Sequence, residues 1–556
     1  MKVTGGEALA HQLVLEGVTD VFGIPGVQLD YAVNGLRQIS DKVRFFVPRH
    51  EQTTAYMADG YARTTGKIGT CMVVPGPGLL NATAALSTAY ACNSRVLCIS
   101  GGIHSEGVGK NYGLLHEIKN QSEVMASVTK WNRAAKSAQE IPGLVREAIK
   151  QLNSGRPQPV GIEIPQNFLS TVDEFTLATP PDNEDGRIRP DAASIEKAAA
   201  LLNQARFPVV YAGGGALAAH AGDALRAFAE KLKAPVVLSE NGRGALSDRH
   251  PLALTTLGGR AVFPHADVVL VVGSRFADTT NGEPSWPTAS ARYIYINTDE
   301  HTWTGPRKAE VGIVADAALG LEALAEAIDR RKNAIEADLD RVRAWALAQS
   351  DALEPLTGYL RALRGALPDD GILINELTQV GYHARTNYPV YKPDTFITPG
   401  YQGTLGYGVP TAMGAAAGNP DKQVIGITGD GGFGWGMQEL LTASKYQLNV
   451  AIVVFADGHF GNVKSMMTDK FGLSFGDVLQ NPKFDKLAEA FDVAYARADD
   501  PAALERVLKG HANKGGPILV EAPVGKMPSP WGLMRLRAAG GKTPAPANPL
   551  GEPADR

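Results

Sequence analysis

Two carboxylates 27 positions apart open the chemical reading of this chain: Asp430 in Gly429-Asp430-Gly431-Gly432, and Asp457 in Asp457-Gly458-His459. Apolar runs at 424–428 and 450–455 precede them, so each carboxylate sits where a strand should end. Strand, Gly-rich turn, helix and strand in that order aim backbone N–H groups at a phosphate. Two acidic oxygens beside such a turn suit Mg²⁺, a hard cation that takes oxygen ligands in octahedral geometry. The segment reads as a diphosphate held through a divalent metal. Gly-Asp-Gly-Gly alone reads equally well as a plain turn, and the second carboxylate favours the functional reading.

A second group lies near the N-terminus. Phe22-Gly23-Ile24-Pro25-Gly26 is followed by Arg49-His50-Glu51-Gln52, then by Ala58-Asp59-Gly60-Tyr61-Ala62-Arg63, and then by Gly76-Pro77-Gly78-Leu79-Leu80-Asn81. Gly-rich turns at strand ends let a ligand approach the backbone closely. Glu51 heads a helix whose apolar face (Ala55, Met57 or Ala58, Ala62) is expected to pack inward. Taken by itself, a carboxylate at a helix start is more often a cap or a dipole partner than a catalyst.

Positioning these groups requires parallel sheets. Strand-like apolar runs at 69–74, 96–100, 160–164, 209–212, 235–238, 268–272, 293–297, 424–428, 450–455 and 518–521 alternate with helical patterns. Two breaks divide them: a Pro-rich polar linker at 176–191 and a charged helical stretch at 330–354, read as a bridge. The fold class is α/β, in three domains each with a parallel β-sheet flanked by helices. Their bounds are 1–175, 190–330 and 355–535. The Pro-, Gly- and Ala-rich residues 540–556 are expected to be a mobile tail. No internal repeat is visible.

Composition narrows the classes. The 556 residues are 44% hydrophobic and 20% charged, ordinary for a globular protein, and the net charge of -4 with no basic stripe argues against nucleic acid. Cys71, Cys92 and Cys98 have no metal-ligand spacing and read as core residues of a reduced, cytoplasmic protein. No apolar run is long enough to span a membrane.

RHEQ…ADGYAR, GPG…N, GYQGTLGYGVP at 400–410 and GDGG…ADGH, in that order, resemble the thiamine diphosphate-dependent enzymes, in their acetolactate synthase and benzaldehyde lyase branch. The resemblance runs over roughly residues 3–530 and makes the three domains pyrimidine-binding, central and diphosphate-binding. It implies thiamine diphosphate and Mg²⁺ as cofactors, and carbon–carbon bond chemistry on 2-oxo acids or 2-hydroxy ketones, by decarboxylation, carboligation or both. Glu51 would hydrogen-bond N1′ of the aminopyrimidine, the Gly403 carbonyl would accept from its 4′-amino group, and Leu405 would enforce the bent cofactor shape. Asp430 and Asp457 would be side-chain metal ligands and His459 a main-chain carbonyl ligand. Where the family has Asn-Asn this chain has Ala456-Asp457, which adds a negative charge. Thr378, Gln379, Gly431 and Gly432 match diphosphate contacts. Gly26, Pro77 and Asn81 would contact the cofactor, and Val27 and Gln28 match residues beside the thiazolium. His116 stands where relatives have a substrate-contacting Gln. Asn462 and Met466 replace the apolar and aromatic residues that shape the acceptor pocket of acetolactate synthases.

The resemblance also implies a homodimer or homotetramer with active sites at the dimer interface. Within the family an aldehyde lyase or an oxalyl-CoA-type decarboxylase is the alternative; no Lys/Arg cluster for a CoA phosphate stands out. FAD in the central domain, at Gly213-Gly214-Gly215 and 273–278, is not favoured, since Thr256-Leu257-Gly258-Gly259-Arg260 lacks the flavin-contacting pattern. A nicotinamide oxidoreductase fails because Gly76-Pro77-Gly78 lacks the third glycine of the fingerprint. A silent scaffold relative would be expected to have lost Glu51 or Asp430.

Overall fold

A computed structural model describes residues 1–180, 186–276, 291–304, 307–332, 335–512, 514–534 and 546–552. It contains three six-stranded sheets, every strand pairing in them parallel, and one short antiparallel pair. The inner strands of all three sheets are dominated by buried apolar residues, as sheets covered by helices on both faces require, while edge strands such as Trp131–Ala134 and Ala494–Arg497 are partly exposed.

In space the N-terminal sheet runs Arg44–Phe46, Asp20–Gly23, Gly69–Val73, Val96–Gly102, Val160–Pro165, Trp131–Ala134. The C-terminal sheet runs Phe396–Ile397, Ile372–Asn375, Val424–Gly429, Val450–Ala456, Pro517–Pro523, Ala494–Arg497. Counted along the chain within each sheet, both have the order 2-1-3-4-6-5, a structural duplication invisible in the sequence. The central sheet has the order 3-2-1-4-5-6, with its switch point between Pro208–Ala212 and Val268–Val272.

Helix Glu51–Thr65 is central to the packing of the outer domains. Eleven of its fifteen residues are buried, Ala55, Met57, Ala58 and Ala62 among them, because it is covered from two sides. It lies against helix Gly408–Gly418 of the C-terminal domain at backbone contact distance. A Cβ at Gly60 would run into the Thr411 carbonyl, and one at Gly414 into the Met57 carbonyl. At this crossing the two glycines are needed for close approach.

Lys2–Thr4 forms a short strand antiparallel to Val172–Glu174, and helix Gly5–Leu15 then begins with a Thr4–Glu7 capping box. Two local expectations change. The charged stretch read as a bridge contains helix Glu336–Asp351, whose Leu339 and Val342 are buried in the central core, so it belongs to the central domain. In the tail, Asn548 donates to the Ala261 carbonyl at 3.1 Å and Leu550 packs on that core, while 540–545 and 553–556 lie outside the described residues. Linker residues 181–185 and the Ala277-Asp278 end of the central Gly-rich motif are also outside them. Among the described residues no helix is long and apolar enough to cross a membrane.

Candidate active site

The duplicated topology arranges the sequence motifs. In each outer domain the singled-out residues follow the carboxyl ends of the first four strands. Gln28 follows strand one of the N-terminal sheet, Glu51 strand two, Pro77 and Asn81 strand three, and His116 strand four. Thr378 and Gln379 follow strand one of the C-terminal sheet, Gly403 and Leu405 strand two, Asp430–Gly432 strand three, and Asp457 and His459 strand four. Ligands of open α/β sheets bind outside this edge.

On the N-terminal side, Glu51 is the first residue of its helix, after His50, whose ring Nδ1 accepts from the Gln52 N–H at 3.1 Å. The Asn81 amide donates to Glu51 Oε2 at 3.0 Å, which aims the carboxylate toward the helix that starts at Pro77. Gln28 is buried; its amide donates to the Leu115 carbonyl at 3.1 Å, and its Oε1 lies 3.0 Å from His116 Nδ1. That contact makes His116 Nδ1 the protonated nitrogen and leaves Nε2 as the ring's other proton-exchanging atom. His116 holds a left-handed backbone (φ 66°) with its carbonyl packed on Gly76, so the turn at Gly76 and the His116 loop are seated together. Gly26 packs on Val74, while Val27 is exposed.

On the C-terminal side, Thr378 caps helix Gln379–Asn387, its hydroxyl accepting from the Gly381 N–H at 2.9 Å. The Gln379 amide donates to Asp457 Oδ2 at 3.3 Å. Asp430 is buried and accepts from the Gly458 N–H at 2.8 Å and from the Asn481 amide at 2.6 Å. Burial first, and then the charge of Asp457, push its carboxyl above the usual range. Two carboxylates that repel one another in this way could hold a divalent cation. The His459 N–H is taken by Asp457 Oδ1 at 2.9 Å, and no backbone N–H among the described residues reaches the His459 carbonyl. No group of three His, Cys, Asp or Glu side chains converges among the described residues. The site therefore offers two carboxylates and a carbonyl, with coordination left for phosphate oxygens and water, which is how Mg²⁺ is commonly bound. Gly403 (φ 56°) and Gly406 (φ 78°) turn the loop that exposes Leu405. Among the described residues, no hydrogen bond joins the N-terminal and C-terminal site groups named here directly.

Sequence reasoning missed two buried carboxyl groups, Glu376 and Glu439, and the Asn481 amide on Asp430. Glu439 could have been suspected from its place just after the Asp430 turn; nothing in the sequence marks the other two.

A crevice of about 300 Å³ lies at the central sheet's switch point, lined by Tyr211, Gly214, Ser239, Asn297 and Arg307. A Cβ at Gly215 would meet Gly273 Cα at 2.6 Å, and one at Gly213 the Gly273 carbonyl at 2.5 Å. These two glycines serve the packing of one loop on the other.

This fold and these strand-end residues define a thiamine pyrophosphate enzyme, and the chain belongs to that family, in its acetolactate synthase-like branch. Its profiles match in family order: the N-terminal TPP binding domain over residues 3–124, the central domain over 195–324 and the C-terminal TPP binding domain over 378–522. The chain is 35% identical over 534 residues to a probable 2-ketoarginine decarboxylase of Pseudomonas aeruginosa, covering 93% of this chain and 94% of that protein. It is 30% identical over 539 residues to the large subunit of acetolactate synthase isozyme 1 of Escherichia coli, covering 94% of each. A putative thiamine pyrophosphate-containing protein of Bacillus subtilis is 27% identical over 539 residues, covering 94% of this chain and 92% of that protein.

Proposed function

We propose that this chain is a thiamine diphosphate- and Mg²⁺-dependent enzyme that breaks a carbon–carbon bond beside the carbonyl of a 2-oxo acid or 2-hydroxy ketone. Decarboxylation of a 2-oxo acid is its principal reaction, and joining the product to a second carbonyl the secondary one. The observation that carries this reading is the convergence at matching strand ends of Glu51 with Asn81, Gln28 with His116, and Asp430 with Asp457. The order of the two reactions rests on the relative named as a decarboxylase and on Asn462 and Met466 at the acceptor positions.

Bound at these strand ends, thiamine diphosphate supplies the electron sink that lets such a bond break. Asp430, Asp457 and the His459 carbonyl would hold Mg²⁺, with Thr378, Gln379 and the Gly431 and Gly432 backbone toward the diphosphate. Gly403 and Leu405 would hold the ring system, and Glu51 would keep a proton at N1′, oriented by Asn81. His116, fixed by Gln28, would exchange a proton with the substrate oxygen at Nε2.

We read the functional unit as a homodimer or a dimer of dimers. The surfaces around both half-sites carry large exposed apolar residues, Val27, Leu80 and Leu115 on one side and Leu405, Trp435 and Phe475 on the other. A second copy would cover both and bring Glu51 of one protomer to Asp430 of its partner. FAD is not part of this reading, because Gly213 and Gly215 are used in packing against Gly273. Three free cysteines fit a reducing cytoplasm.

The test is a substrate panel with thiamine diphosphate and Mg²⁺: pyruvate, longer 2-oxo acids, a guanidinium-bearing 2-oxo acid, benzoylformate, 2-hydroxy ketones and oxalyl-CoA, followed for CO₂ and coupled product. CO₂ from a 2-oxo acid is expected. Cofactor-dependent cleavage of hydroxy ketones alone would transfer the assignment to the aldehyde lyases, and CO₂ from oxalyl-CoA alone to the oxalyl-CoA decarboxylases.

A further inference from the structure

Glu376 follows strand Ile372–Asn375, and its N–H donates to the Ile427 carbonyl at 3.1 Å, extending that strand along its neighbour. Its side chain is 2% exposed. Oε1 accepts from the Gly406 N–H at 3.0 Å, and Oε2 from the Gly408 N–H at 2.7 Å. The Thr428 hydroxyl, which donates to the Gly429 carbonyl at 3.0 Å, lies beside the carboxyl, and a Cβ at Gly432 would run into Oε1. One carboxyl group thus sits between the loop that presents Gly403 and Leu405 and the turn that presents Asp430.

The loop needs such a group. With left-handed glycines at 403 and 406 it has no regular ladder, and its buried N–H groups at Gly406 and Gly408 require acceptors from elsewhere. A carboxylate meets two N–H donors with two acceptor oxygens, whereas an amide would turn its NH₂ toward one of them. The arrangement is held at an electrostatic cost: among the described residues no cation pairs with Glu376, and burial pushes the carboxyl up to about 7. Tyr56, one turn into the Glu51 helix, is the titratable group that faces it. A site that only needed filling would be served by an apolar side chain.

We infer that Glu376 is a positioning residue, fastening the 403–408 loop to the Gly429–Gly432 turn so that the ring-holding and metal-holding parts of the C-terminal half-site form one rigid piece. The inference rests on the cofactor reading above for what the rigid piece binds, and on the hydrogen bonds from Gly406 and Gly408 and the close packing on Gly432 for the fastening itself.

Hydrogen exchange of the full chain without cofactor, wild type against Glu376→Gln, tests the fastening. Thiamine diphosphate titration in Mg²⁺, followed by tryptophan fluorescence, tests its consequence, with Trp435 packed against Gly406 as a nearby reporter. Exchange over 403–408 is expected to rise about tenfold or more, with the central sheet unchanged and the cofactor Kd about tenfold weaker, the factor for one lost charge-assisted hydrogen bond. Unchanged exchange in the loop, or faster exchange with an unchanged Kd, would overturn the inference. Should the Gln variant fail to fold, Glu376→Asp, which is too short to reach both N–H groups, is read by the same two criteria. A wild-type chain that does not bind thiamine diphosphate would overturn the proposed function instead, and the exchange comparison would still decide the fastening.

Discussion

Glu439, nine residues after Asp430 in the C-terminal domain, accepts a hydrogen bond at 2.8 Å from Thr53, in the first turn of the Glu51 helix. Its carboxylate also accepts from the Arg49 N–H at 3.1 and 3.0 Å and from Thr442 at 2.7 Å, and it is fully buried. The segment that presents Glu51 is therefore anchored on the domain that presents Asp430, within one chain. Glu439→Ala would leave the Arg49 N–H and both hydroxyls without their acceptor. A loss of about 2–4 kcal/mol in urea unfolding is expected, together with reduced turnover. Unfolding within ~0.5 kcal/mol of wild type would contradict the anchor.

Glu51 and Asn81 form a donor–acceptor pair whose members differ in importance. Glu51→Gln should lower kcat about 100-fold or more with an unchanged melting temperature. Asn81→Ala, which only frees the carboxylate to reorient, should cost about tenfold. Because the reading gives Glu51 and Asp430 to different protomers, co-expressing a Glu51→Gln chain with an Asp430→Ala chain should recover activity in the mixed dimer. A mixed dimer as inactive as its parents would place the site within one chain.

Metal binding should follow Asp430 more than Asp457. Chelation with EDTA is expected to release the cofactor, and Asp430→Ala to weaken Mg²⁺ binding about 100-fold or more. Asp457→Asn removes the like charge that helps hold the Asp430 carboxyl high, and should leave Mg²⁺ affinity within about tenfold of wild type. Isothermal titration separates these cases. An Asp457→Asn loss equal to that of Asp430→Ala would show that the charge itself is required.

Glu376 also sets a pH dependence. Its folded-state carboxyl lies at about 7, above its ordinary value of 4.5, so the folded protein holds this proton more tightly than the unfolded chain. The associated stability is complete below pH ~4.5, declines as pH rises toward about 7, and is gone above it. A shift of this size corresponds to about 3 kcal/mol. Glu376→Gln should flatten that part of the stability–pH curve in chemical denaturation. A slope there that survives the substitution would assign it to another group.

Much of the architecture was legible because buried parallel strands are continuous apolar runs: 424–428 and 450–455 mark their strands and end at the two carboxylates. Glu51 was legible through its neighbours in the motif and its place before an apolar helix face. Glu376 and Glu439 were harder to see, since a single Glu carries no sign of burial and, Thr442 apart, the donors named here lie 30 or more positions away or in another domain. The duplication of the outer sheets is a property of strand order, which hydrophobic periodicity does not encode. The charged exterior of helix Glu336–Asp351 hid the two core residues, Leu339 and Val342, that assign it to the central domain.

The most direct measurement is a titration of the purified full-length chain with thiamine diphosphate, with and without Mg²⁺, followed by thermal shift and tryptophan fluorescence. Saturable binding that raises the melting temperature only when Mg²⁺ is present, and that Asp430→Ala abolishes, is the expected result. No shift at millimolar thiamine diphosphate with Mg²⁺, or binding indifferent to both the metal and Asp430, would contradict it.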